Sequence, residues 1–301
     1  MRRQFLLSIL VLISAAGFAS AKLNVVTTTE DLAALVREVG RDHVEVTAVA
    51  KGYQDPHFVD AKPSFLLKLS KADLLALVGL DLEIGWLPPL ITQSRNAKIQ
   101  FGAPGYLDAS QGVEILERPA GQVTRAMGDV HPLGNPHYWL DPENGRRMAR
   151  NLAERLAVLD PPRSDSYRAN LADFERRLDQ AIPRWLEKAR AFSGVKVVTY
   201  HNSWPNFVRR FGLIVVGYVE PRPGIPPSPS HTLELINTIK SQGAKGILVE
   251  PYFDLKTPEA VARASGARVL VLSPSVGGVK QATDYFKLFD YNLDLLAQGL
   301  S

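Results

Sequence analysis

The sequence predicts an α/β protein of two related lobes, each on a mainly parallel sheet, joined by a long spanning helix. Three observations predict it. Two segments repeat one pattern at a constant offset of 172 positions: Val25-Val26-Thr27 leads through Leu35-Val36-Arg37 to Gly40, and Val197-Val198-Thr199 leads through Phe207-Val208-Arg209 to Gly212. In both halves buried strands alternate with amphipathic helices, which implies parallel sheets covered on both faces. Between the halves, Tyr167, Leu171, Phe174, Leu178, Ile182 and Leu186 recur at spacings of four and three, a helical period.

The chain begins with Met1-Arg2-Arg3, an apolar run from Phe5 to Ile13, and a small-residue exit at Ala19-Ser20-Ala21. A short positive segment, a core too short to span a bilayer and an A-x-A exit read as a cleaved secretory signal over residues 1–21. The N-terminal lobe is then expected over 22–163. Its first unit is a strand at Val25, a helix ending near Gly40, and a second strand from Val44 to Val49. Pro63-Ser64 opens another helix, leading to a strand at Asp73–Val78. The spanning helix is expected within 164–193. Its length, roughly 40 Å at about 1.5 Å per residue, suits small lobe movements rather than wide hinge closure, and Pro183 should bend or break it. The C-terminal lobe is expected over 194–301, with strands at Lys196–Tyr200, Leu213–Tyr218 and Gly246–Val249 and a helix opening at Pro229-Ser230.

Composition excludes several chemistries. With no cysteine in 301 residues, disulfides, thiolate metal sites, cysteine nucleophiles and a lipid-bearing cysteine anchor are all absent. Any metal site must use His, Asp, Glu, carbonyls or water. Loss of Arg2 and Arg3 with the signal lowers the formal net charge from +4 to +2, and the charges are scattered, so no nucleic-acid surface is indicated.

Six histidines are present: His43, His57, His131, His137, His201 and His231. His57 follows a strand in Asp55-Pro56-His57-Phe58, and His201 directly follows the strand ending at Tyr200. Ligands of open α/β sheets bind beyond the carboxyl ends of strands. His137 lies in Asn135-Pro136-His137-Tyr138-Trp139-Leu140-Asp141-Pro142, where Asp141 can cap a helix with Pro142 at its first position. A loop histidine alone is weak evidence of a ligand. The repeated Pro-His dipeptide strengthens it, because proline restrains the backbone that carries the ring. Neutral imidazole suits zinc and other late transition metals. Two ligands from one lobe and one from the other would place an ion at the interface.

The segments around these three histidines resemble those of the periplasmic metal-receptor family of zinc and manganese ABC importers, most closely its zinc-binding members. The similarity runs across the chain after residue 21, and Asn135–Pro142 is its most specific motif. It implies a solute-binding protein, not an enzyme, that captures Zn2+ through His57, His137 and His201 and delivers it to the membrane permease of an ABC importer. It also implies a periplasmic location, and a monomer is expected. In this family zinc-favouring members carry His at the third position, as here, whereas manganese-binding relatives tend to carry Glu. That agrees with ligand preference, so Mn2+ is the less expected cargo. The family often adds a carboxylate ligand late in the C-terminal lobe, but Leu272-Ser273-Pro274-Ser275-Val276-Gly277-Gly278 contains none. The fourth position is therefore expected to hold water or Glu250, with a purely local role favoured for Glu250 and Glu220 a weaker candidate. The region from Val113 to Leu133 holds only His131 and Asp129 of the His-rich acidic loop of some zinc receptors, and His131 is expected to face solvent. His43 and His231 read as surface or capping residues, and the Pro-rich stretch 221–229 as a stiff connection or part of a docking rim.

Two other functions fit part of the pattern. A zinc-dependent hydrolase could use three imidazoles and an open site, but no carboxylate adjoins any of the three as a general base. A metal-chelate receptor on the same scaffold would leave the converging imidazoles unexplained.

Overall fold

A computed structural model describes residues 21–124 and 127–300. Apart from Ala21, the expected signal segment lies outside the described residues.

The first sheet holds β1 (Leu23–Thr27), β2 (Val44–Ala48), β3 (Leu74–Leu77) and β4 (Tyr106–Asp108), all parallel, in the order β2-β1-β3-β4. The second holds β5 (Lys196–Thr199), β6 (Ile214–Tyr218), β7 (Gly246–Val249) and β8 (Arg268–Val271), also parallel, in the order β6-β5-β7-β8. The two orders are the same, so the offset of 172 marks a shared topology. It extends to single hydrogen bonds. Thr28 N–H donates to Ala76 O at 3.0 Å, and Tyr200 N–H, 172 positions on, donates to Leu248 O at 2.7 Å. Thr27 Oγ1 donates to Thr29 O at 2.9 Å, and Thr199 Oγ1 donates to His201 O at 2.8 Å.

Alternation along each strand covers both faces. Val25 packs towards α1 (Glu30–Gly40), and its neighbour Val26 towards α2 (Pro63–Leu69) and α3 (Leu87–Ser94). Val197 and Val198 divide in the same way, Val198 facing α7 (Pro229–Gln242) and α8 (Lys256–Ser265). The period of two in strands dictates this split. The inward faces of both sheets share one apolar cluster, to which α4 (Pro142–Leu159), α5 (Ser164–Ala189), α6 (Pro205–Phe211) and α9 (Tyr285–Leu300) contribute.

The spanning helix is α5, unbroken from Ser164 to Ala189. Pro183 does not end it. Pro183 and Asp179, whose carbonyl would have accepted the missing N–H, are both exposed, so water can satisfy that carbonyl. The buried stripe runs Phe174, Leu178, Ala181, Trp185, Ala189, with Trp185 1% exposed and Leu186 39% exposed. The expected stripe through Leu186 is thus corrected by one position near its end, as a period of 3.6 residues requires. The two repeat glycines also differ. Gly212 adopts φ +79° and caps α6, whereas Gly40 remains helical and Arg41, at φ 43°, takes the cap.

Candidate metal centre

The ligand-capable atoms of His57, His137 and His201 all lie within 4.8 Å of one another, and all three residues are buried. Among the described residues this is the one group of His, Cys, Asp and Glu gathered so closely. Three imidazoles separated by 80 and 64 positions in sequence thus converge where the carboxyl ends of the two sheets face each other.

Each ring is turned by a hydrogen bond on its outer nitrogen. His57 follows β2, in a loop held where Trp86 Nε1 donates to Pro56 O at 2.9 Å. Asp55 Oδ1 accepts both His57 N–H, at 2.9 Å, and the ring Nδ1, at 2.7 Å. Asn135 Oδ1 repeats this for His137, accepting its N–H at 3.0 Å and its Nδ1 at 3.1 Å. The backbone donor fixes which end of the Asn135 amide is oxygen, and Asn135 Nδ2 donates to Asn202 O at 2.9 Å. In the second lobe Glu220, just beyond β6, accepts His201 Nδ1 at 2.8 Å. In each case the outer partner is an acceptor, so the proton sits on Nδ1 and Nε2 presents a lone pair. His137 Nε2 is buried with no hydrogen-bond partner.

The turn after His137 is anchored from both lobes. Tyr138 Oη donates to Val78 O at 2.6 Å, Trp139 Nε1 to Pro274 O at 2.8 Å, and Tyr285 Oη to Trp139 O at 2.7 Å. Asp141 caps α4 by accepting Glu143 N–H at 2.9 Å, with Pro142 in the first turn, and pairs with Arg210 through two bonds of 2.9 Å.

Electrostatics separate the rings. Burial and the neighbouring imidazoles hold His137 well below 6.5. Burial also disfavours charge on His201, but the Glu220 hydrogen bond and the charges of Glu250, Glu220 and Asp55 outweigh it, and its pKa is raised above 6.5. The same Glu220 oxygen takes Gly224 N–H at 3.0 Å, tying the Pro-rich stretch to the site.

The candidate fourth ligands fall elsewhere. Glu250 is fully buried at the end of β7 and accepts Trp204 Nε1 at 2.9 Å; its carboxylate is not in the 4.8 Å group. Burial, partly offset by the His201 charge, raises its pKa to about 7. Glu220 supports His201 from behind. The stretch 272–278 serves as an interlobe clasp, in which buried Asp31 accepts Val276 N–H at 2.9 Å and the Ser275 hydroxyl. His43 pairs with Ser166 Oγ at 3.1 Å, and His231 Nε2 with Tyr218 O at 3.0 Å, both away from the centre.

One expectation is corrected. His131 is only partly exposed: its Nε2 lies 3.2 Å from His57 Nε2, and burial together with the charges of His57 and His201 lowers its pKa to about 3. The sequence carries no periodic signal across Val113–Leu133 that would fold this loop back, and the residues that touch are 74 positions apart. The loop is brought onto the second lobe where Asp129 N–H donates to Pro223 O at 2.9 Å. The hollow beside His137 and His201 measures about 50 Å3 and is lined also by His131, Asp129, Asn135 and Glu117.

Two sheets of parallel strands bound by a long helix, with imidazoles gathered between them, define a metal-binding receptor of the bilobed substrate-binding class. Over residues 25–299 the chain matches the family described as ZnuA, zinc-uptake complex component A, periplasmic. The chain belongs to that family, whose members are ABC-importer receptors and not enzymes. It is similar to the manganese ABC transporter substrate-binding lipoprotein PsaA of Streptococcus anginosus, at 26% identity over 98% of this chain and 96% of that protein. It is also similar to the iron ABC transporter substrate-binding lipoprotein MtsA of Streptococcus pyogenes serotype M1, at 25% identity over 97% and 94% respectively. A crystal structure of ZnuA superposes with a TM-score of 0.78 at 28% identity, covering 93% of this chain and all of that one.

Proposed function

We propose that the cargo of this receptor is Zn2+, bound by His57, His137 and His201 between the lobes and passed to the membrane permease of an ABC importer. The observation that carries this reading is the common arrangement of the three rings, each with its outer Nδ1 held by an acceptor so that Nε2 keeps its lone pair. An all-imidazole set with no carboxylate in the group favours zinc over manganese, which prefers oxygen ligands. The relatives named for manganese and iron make this the point to test.

On the same reading the chain acts as a periplasmic monomer after loss of residues 1–21, with lobes at 22–163 and 194–301 joined through 164–193. The hollow beside His137 and His201, about 50 Å3, suits an ion and a water. Asp55 and Glu220 each hold a ring nitrogen from the side away from the centre, a positioning role rather than that of a hydrolytic base.

Competitive titration of Zn2+ against Mn2+ tests the reading. Zinc should bind one per chain and displace manganese. Replacing His57, His137 or His201 singly by Ala should each weaken zinc binding by more than about a hundredfold, beyond the loss usual for an outer partner, while His43→Ala should not. Equal effects at all four positions would discredit the assignment.

A further inference from the structure

We propose that His131 is the fourth zinc ligand, making the loaded site an all-imidazole tetrahedron. This rests on the zinc-receptor reading above and adds a residue to it.

The geometry starts from His57. Its Nδ1 is committed to Asp55, so its Nε2 offers a lone pair, and Nε2 of His131 lies 3.2 Å from it. Two nitrogens bound to one tetrahedral zinc at about 2.0–2.1 Å stand about 3.3 Å apart. The observed separation matches two ligands of one ion, and in the metal-free site the same distance serves an N–H···N bond between the two rings. Among the nearby groups, Asp55 and Glu220 hold ring nitrogens from behind, Glu250 gives one oxygen to Trp204 and keeps the other unbonded but stands outside the 4.8 Å group, and Ser275 and Val276 are engaged with Asp31.

The loop that carries His131 is built to bring it there. Asp129 N–H bonds Pro223 O, and two residues with positive φ, Gly128 and Gly224, let the two chains approach. Gly224 N–H in turn bonds Glu220, which orients His201. One chain of contacts therefore links the His131 loop to a ligand of the opposite lobe. His131 also lines both the inner hollow beside His137 and His201 and the larger outer one of about 420 Å3 beside His57 and Trp86. It stands at the mouth of the site. Its Nε2 is not one of the three donor atoms gathered within 4.8 Å, so ligation requires a short inward shift of the His131 side chain.

Zinc K-edge X-ray absorption on the full chain, with competitive zinc titration, tests this in wild type, His131→Ala and His131→Phe. Phe preserves a ring of similar size but cannot ligate. Four imidazoles per zinc are expected in wild type. Both variants should show three imidazoles and one oxygen, with affinity lower by roughly tenfold or more, a loss at least that of an outer partner. A wild-type shell with only three imidazoles, or variants matching wild type in shell and affinity, would overturn the role of His131 while leaving the three-histidine receptor intact. A wild-type protein that binds no stoichiometric zinc through histidine would instead overturn the receptor reading itself, and this inference with it.

Discussion

Asp55 Oδ1 accepts both the backbone N–H and the ring Nδ1 of His57, at 2.9 and 2.7 Å. Asn135 does the same for His137 with an uncharged oxygen. The shared requirement is an acceptor two residues before the histidine, across a proline, and not a charge. Asp55→Asn should therefore keep zinc affinity within a few-fold of wild type, while Asp55→Ala should cost about 10–100-fold, the usual range for an outer partner of a metal-bound imidazole. Competitive titration of the two variants checks this. Equal losses would mean that the negative charge matters more than the positioning.

Protons compete with zinc at His201. A ligand must be deprotonated to bind, and the pKa of His201 is raised while that of His137 is held well below 6.5. Zinc affinity should fall as pH drops through and below neutrality, His201 contributing and His137 not. Glu220→Gln keeps an acceptor for Nδ1 and removes a charge, so the fall should begin at lower pH. Calorimetry across a pH series would show this as a displaced onset, and an unmoved onset would contradict it.

Metal-free stability should carry a signature of the clasp. Burial, partly offset by the bonds from Ser275 and Val276, raises the pKa of Asp31 from 3.8 to about 7. The folded state then holds a proton that the unfolded state releases. The associated stability is fully present below the unfolded value and is lost as pH rises through about 7. Asp31→Asn retains an oxygen for Val276 N–H and never ionises. Its melting temperature should decline less between about pH 5 and about pH 8 than that of wild type, with Glu83 and Glu250, both also near 7, contributing equally to the two proteins. Parallel declines would show that Asp31 ionises freely.

Lobe movement should be small. One apolar cluster runs from Val25 through Phe174 and Trp185 to Leu300, and wide opening would expose it. Small-angle scattering with and without zinc should give indistinguishable radii of gyration. Tryptophan emission should still change, because the Trp139 ring lies 5.2 Å from that of His137. A clear expansion on metal removal would show that the shared core parts.

Much of the fold was legible because its signals are local. Val25–Thr27 and Val197–Thr199 are short runs of strand-favouring residues at the centre of their sheets, and the helix after each repeats with the same spacing. The edge strands β4 and β8 were not singled out: Tyr106–Asp108 is three residues long, and Arg268–Val271 is partly exposed. The site was legible where a residue is fixed by its neighbours in sequence, as in the two Pro-His dipeptides and at the end of β5. It was hidden where placement depends on distant partners. His131 is positioned by contacts with His57 and, through Asp129, with Pro223, and Asp31 by Ser275 and Val276; no pattern within a few residues encodes either. The Leu186 stripe failed for a smaller reason, since counting by fours and threes drifts from 3.6 over about five turns.

The most direct measurement is anomalous diffraction at the zinc edge from crystals of the zinc-loaded protein. A single strong peak about 2.0–2.1 Å from Nε2 of His57, His137 and His201 together is the predicted result. A peak bound to fewer than two of those rings, or located away from the space between the lobes, would contradict it.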